Sequence, residues 1–125
     1  MQDYHQLEIW RRAMDYTVEI YRFTAQLPDT ERFNLTSQLR KAATSVPLNI
    51  AEGAGCGGQR EFVRFLSYAY RSLKEVVTSL DLCERLYPSV SLPAVAKLVD
   101  ECNQIARMTH SLMGRLGLPS DLRNG

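Results

Sequence analysis

Apolar side chains in this chain recur every three to four residues in separate segments, and no segment of useful length alternates with a period of two. That spacing puts them on one stripe of a helix, whereas a half-buried strand needs strict alternation, so the chain is confined to helices that bury their stripes against one another. Helices are predicted over about 4–26, 31–52, 59–86 and 92–115.

In the first helix Leu7, Trp10, Met14, Thr17, Tyr21 and Thr24 form a heptad-like seam, widened by Ala13, Ile20 and Leu27, and Pro28 with Asp29 ends it. The second opens where Asp29 or Thr30 can cap free amides and Glu31 suits the positive helix end. Its seam is Leu35, Leu39, Ala42, Val46 and Ile50. Pro47 lies inside it, lacks an amide and crowds the Ala43 carbonyl, so a kink or local break is expected there. Gly53, Gly55, Gly57 and Gly58 are expected to stop this helix. The third helix carries Phe62, Leu66, Ala69, Leu73, Val76, Leu80 and Cys83, and Pro88 closes it. The fourth begins after Ser91, a natural cap ahead of Leu92 and Pro93, and turns Val95, Val99, Cys102, Ala106, Thr109 and Met113 inward. Gly114 and Gly117 end it, and Pro119 to Gly125 reads as a frayed tail.

Short connections make sequential helices antiparallel neighbours. The expected fold is therefore an all-α, antiparallel up-down-up-down four-helix bundle, with helix 2 kinked at Pro47 and one domain over residues 1–125. A length of 125 residues with 45% apolar side chains is enough for one such core.

Several function classes drop out. No apolar run is long enough to cross a membrane, and the polar first residues, with Asp3, Glu8, Arg11 and Arg12, lack the apolar core of a signal peptide, so a cytoplasmic protein without a membrane partner is expected. Three cysteines, Cys56, Cys83 and Cys102, show no paired metal spacing. Counted from the turn near Pro88, Cys83 and Cys102 stand about six residues, or roughly 9 Å, out of level, too far for a disulfide, and read as buried free thiols. Gly53, Gly55 and Gly58 satisfy G-x-G-x-x-G, but the dinucleotide fingerprint needs a preceding strand and the preceding segment is helical. A di-metal bundle needs inward Glu residues and Glu-x-x-His pairs, and the sequence has no such pair. Arg107 and His110 share a helical face, yet only two residues separate them, where helical-bundle ribonucleases have four to six, and no second general base accompanies them. No catalytic, cofactor-binding or metal-binding residue is assigned, and an enzyme is not expected.

Two features carry a function instead. From Ala42 to Ala51 helix 2 is small or apolar nearly all round, where a surface helix should show one polar face, so it is expected to be covered on two sides. Val46 and Ile50 face its own bundle, and Ser45, Pro47, Leu48, Asn49, Ala51 and Glu52 are the candidate contacts with a second copy. Charge is also uneven: Arg40, Lys41, Arg60, Arg64, Arg71 and Lys74 face only Glu52 and Glu61 within residues 38–74, in a chain of net charge +1. Arg60, Arg64, Arg71 and Lys74 recur at spacings of 4, 7 and 3, one stripe along helix 3, with Arg71 also placed to pair with Glu75. Repeated around an oligomer, that stripe suits a phosphate backbone, and Tyr68 and Tyr70 interleave with it as stacking residues or packing residues.

The run Gln38-Leu39-Arg40-Lys41-Ala42-Ala43, then Ser45-Val46-Pro47-Leu48-Asn49-Ile50-Ala51-Glu52-Gly53, resembles the bacterial 23S ribosomal RNA intervening-sequence proteins, also called four helix bundle proteins. Leu7, Trp10 and Ala13, then Glu61-Phe62 and Phe65-Leu66, then Ala69, Ser72, Leu73 and Glu75 support the match. The resemblance implies a four-helix bundle assembled into a ring-like homopentamer, similar to the accessory protein of diversity-generating retroelements, which binds nucleic acid through a basic surface. It implies that Arg40 and Lys41 are the family's basic pair and that Pro47, Asn49, Glu52 and Gly53 belong to its hallmark structural segment. The expected protein is a non-enzymatic homo-oligomer that takes RNA or DNA on Arg40, Lys41, Arg60, Arg64, Arg71 and Lys74, without a cofactor. The alternatives are an adaptor for another protein and, behind it, a ribonuclease using Arg107 and His110.

Overall fold

A computed structural model describes residues 3–90 and 92–117. Its helices are α1 (Glu8–Thr24), α2 (Leu35–Gly55), α3 (Gln59–Leu86) and α4 (Leu92–Arg115), with 3-10 turns at Tyr4–Gln6 and Asp29–Glu31. The expected cap at Ser91 and the tail from Pro119 lie outside the described residues.

Contacts across each helix pair fix the directions. Arg40 reaches Thr24 while Thr17 reaches Ala43, so α1 and α2 run oppositely. Ser45 meets Ser72 while Gly53 meets Phe62, Cys102 meets Leu73 while His110 meets Tyr70, and Tyr16 meets Leu98 while Arg12 meets Gln104. Rising numbers on one helix meet falling numbers on its neighbour all the way round, which is the up-down-up-down bundle.

The expected seams of α2 and α3 are buried in full. On α4 Val99 is only half-buried, and Leu98 and Ile105 complete the core instead. On α1 the phase differs. The helix buries Ile9, Ala13, Tyr16, Ile20, Phe23 and Thr24, and leaves Met14 and Tyr21 exposed, rotating the predicted seam by one residue. The inward set contains Ile9, Ile20 and Phe23, and its one phenol is satisfied, because Tyr16 donates to the Leu98 carbonyl at 2.7 Å. Trp10 packs at the rim, edge-on to Tyr4 and His5.

α2 starts at Leu35, later than predicted, because Asp29–Glu31 forms its own turn and Asn34 has a non-helical backbone. Glu31 still serves the helix start: its carboxylate accepts from the Leu35 amide at 3.4 Å and from the Tyr87 hydroxyl. The helix runs unbroken through Pro47, so the expected local break does not occur. Proline removes the amide that would bond the Ala43 carbonyl. Thr17 of α1 fills that gap, its hydroxyl lying 3.1 Å from the Ala43 oxygen and 2.8 Å from its own Ala13 oxygen.

Gly53 does not stop α2 either. It is buried against α3, and a Cβ there would lie 2.8 Å from the Cβ of Phe65 and 3.0 Å from Cδ1 of Phe62. The chain turns at Gly57, whose φ of +83 favours glycine. Cys83 and Cys102 are buried free thiols, and Cys56 is exposed. Among the described residues no helix is long and apolar enough to cross a membrane, and no group of three His, Cys, Asp or Glu side chains is placed to hold a metal ion.

Candidate nucleic-acid interface

Because α2 and α3 are antiparallel about the Gly57 turn, Lys41 comes level with Arg71 and Lys74 although some thirty residues separate them in the chain. These three cations line one groove of about 570 Å³ together with Gln38, Glu75 and Thr78. All three are exposed. Among the described residues the ion pairs are His5 with Asp3, Arg22 with Glu19 and Arg64 with Glu61, so Lys41, Arg71 and Lys74 have none, and the expected pairing of Arg71 with Glu75 is not made. Three like charges beside a single carboxylate raise the local potential and leave their hydrogen-bond donors to solvent or an anion.

The other predicted cations are placed differently. Arg40 is turned toward α1, where its Nε donates to Thr24 Oγ1 at 2.8 Å, an Nη donates to the Tyr21 carbonyl at 3.3 Å, and the guanidinium lies 4.5 Å from the centre of the Tyr21 ring. It clamps α2 to α1. Arg64 is held by the Tyr68 hydroxyl at 2.9 Å and by Glu61 at 3.5 Å, and both strengthen its hold on its proton, the hydroxyl more than the carboxylate. Arg60 is exposed at the start of α3, about 21 Å along the helix from Lys74. Tyr68 packs edge-on against Phe65, while the Tyr70 ring lies 5.0 Å beneath Lys74 Nζ.

The structure also adds a cation that the charge stripe left out. Arg107 of α4 lines the next groove round the bundle, which it shares with Lys74, Tyr70 and His110. Counting outward from the α3–α4 turn would have found it, since antiparallel pairing puts Arg107 nearly opposite Lys74. Lys41, Arg71, Lys74 and Arg107 thus form a band that crosses from α2 to α4.

The six candidate contact residues on α2 also divide. Pro47 is buried in its own chain, Ser45 faces Ser72 of α3, and Asn49 donates to the Ser45 carbonyl at 2.8 Å. Ala51 is half-buried and Glu52 exposed. Leu48 stands out at 64% exposed. It lines a groove between α1 and α2 with Tyr21 and Thr44, and with Phe33, which is 83% exposed. Arg32, Arg40 and Lys41 line the same groove, and Met14 and Val18 add exposed apolar side chains along α1. Spacing alone does not bring out those α1 residues, because the seam expected for α1 is one residue out of phase with the buried one.

One solved structure, a protein of unknown function from the S23 ribosomal protein family of Bacteroides thetaiotaomicron, matches with a TM-score of 0.74 and 18% identity over 84% of this chain and 97% of that one. At that identity the likeness establishes the fold alone. No curated protein matches the chain. The model of the 23S rRNA-intervening sequence protein family matches residues 5–111, most of the sequence, and the chain belongs to that family.

Proposed function

We propose that the protein is a non-enzymatic, homo-oligomeric scaffold, a ring of five copies as its family resemblance implies, that holds RNA or DNA by its backbone. The observation that carries this reading is the convergence of Lys41, Arg71 and Lys74 on one groove with no ion pair among the described residues. Phosphates displacing condensed counterions from such a band give binding that tolerates sequence and weakens with salt. Copies joined through the exposed apolar side chains around Leu48 would repeat the band, and contacts at several protomers on one strand would add by avidity.

The test is a salt titration of a labelled single-stranded RNA and its DNA counterpart against the whole protein. With three contacts per site, the log of the affinity should fall with log salt at a slope of about −2 per engaged protomer. The K41E/R71E/K74E variant should lose binding while keeping its helical signal. Absence of binding at low salt, or equal binding by the variant, would overturn the reading, and RNA cleavage lost in His110→Ala would overturn its non-enzymatic part.

A second reading, an adaptor for another protein, is favoured by the exposed Phe33 and Leu48 in the α1–α2 groove. It predicts a defined protein partner that survives nuclease treatment and is lost in Phe33→Ser.

A further inference from the structure

The groove on the other side of Lys74 has a different character from the band it joins. It encloses about 300 Å³ between α3 and α4, and its polar lining is Tyr70, Lys74, Asn103, Arg107, His110 and Ser111. No carboxylate is among the lining residues. Arg107 and His110 stand one turn apart on α4, Arg107 on the ridge between this groove and the one it lines with Glu8 of α1, and the His110 and Tyr70 rings lie 5.7 Å apart at 47° with Lys74 Nζ 5.0 Å from the Tyr70 ring centre. Among the described residues Lys74, Arg107 and His110 make neither an ion pair nor a side-chain hydrogen bond.

Two permanent cations with unused donors favour a phosphate group, a dianion when free or terminal and a monoanion within a strand, and Arg107 can meet two of its oxygens at once. The amide of Asn103 and the hydroxyl of Ser111 add neutral donors at the same wall. A tyrosine ring tilted toward an imidazole offers a flat surface for a planar base, which stacks without regard to sequence. The volume is at the small end of ordinary ligand sites, the scale of one nucleotide unit and far below a duplex.

We infer that this groove seats one nucleoside 5′-monophosphate unit, its phosphate between Lys74 and Arg107 and its base against Tyr70 and His110. The unit is either a free nucleotide or one residue of a strand that continues into the Lys41–Arg71 groove through the shared Lys74. Only the strand form rests on the function proposed above.

Calorimetric titration of the whole protein at low salt with AMP, adenosine and a 5′-phosphorylated single-stranded oligonucleotide tests it. AMP binds saturably and adenosine at least roughly tenfold more weakly, because the phosphate supplies the charged contacts. Arg107→Gln weakens AMP by about tenfold or more, and Tyr70→Leu, which keeps an apolar side chain in place, by about fivefold or more. Lys97→Gln, on α4 but outside the groove, leaves AMP affinity unchanged. An oligonucleotide that displaces AMP assigns the groove to a strand, and one that binds alongside AMP assigns it to a free nucleotide. Equal binding of AMP and adenosine, no saturable AMP binding, or equal losses in Arg107→Gln and Lys97→Gln would overturn the site. Oligonucleotide binding without AMP binding would sink this groove alone, and AMP binding without oligonucleotide binding would sink the strand reading alone.

Discussion

Thr17 is the side chain placed to donate to the carbonyl that Pro47 leaves without its helical amide. Replacing it with valine keeps the shape and removes the hydroxyl that lies 3.1 Å from the Ala43 carbonyl. Ala43 is 1% exposed, so water cannot readily take over, and leaving a buried carbonyl without a donor costs about 1–3 kcal/mol. The same substitution in a Pro47→Ala background should cost less, because residue 47 regains an amide that bonds Ala43 along the helix. Pro47→Ala has its own cost, since the proline is buried, but a double-mutant cycle cancels it and leaves a coupling of about 1 kcal/mol. Urea unfolding followed by circular dichroism, with all four proteins at one protomer concentration because assembly adds to apparent stability, reads this directly. At an m-value of about 2 kcal/mol/M the coupling separates the midpoints by roughly 0.5 M. A coupling below about 0.3 kcal/mol would refute the reasoning, placing the Thr17 proton on its own Ala13 carbonyl instead.

Gly53→Ala forces a Cβ to within 2.8 Å of Phe65 Cβ and should cost about 1–3 kcal/mol, whereas Gly55→Ala, with nothing within 4 Å, should cost nothing; a Gly53→Ala protein of unchanged unfolding midpoint would contradict the close approach. Burial pushes the Cys83 and Cys102 thiols up to about 11, so at pH 8 a thiol reagent should label one residue per folded chain, Cys56, and three after denaturation. The same shifts set a sign. Between about pH 9 and 11 the unfolded thiols lose protons that the folded ones keep, so stability falls as pH rises through that window, and a flat profile there would show the thiols to be less buried than described.

How far the sequence could be read depended on how many helical phases each segment offered. In α2 and α3 the large apolar residues fall on one stripe, so Leu35 to Ile50 and Phe62 to Cys83 were legible as core. In α1 two stripes one residue apart both repeat at helical spacing, one through Trp10, Met14 and Tyr21 and one through Ile9, Tyr16 and Phe23. What decided between them was a partner outside the segment, the Leu98 carbonyl that receives the Tyr16 hydroxyl. Pro47 and Gly53 look like a helix breaker and a helix stop in the sequence for the same reason: Thr17 and Phe65, which explain them, lie on other helices. Within the candidate site, Lys41, Arg71 and Lys74 were legible as charge. Arg40 looked equivalent to Lys41, but adjacent helical residues point about 100° apart, and only contact with Thr24 and Tyr21 reveals it as a clamp.

Everything proposed about the basic band multiplies with copy number, so the mass of the protein in solution is the most direct measurement. Sedimentation equilibrium at micromolar concentration should give a multiple of the 14.2 kDa chain, five for the ring, and Leu48→Asp should lower it. A single species at 14.2 kDa, unchanged by Leu48→Asp, would contradict the account.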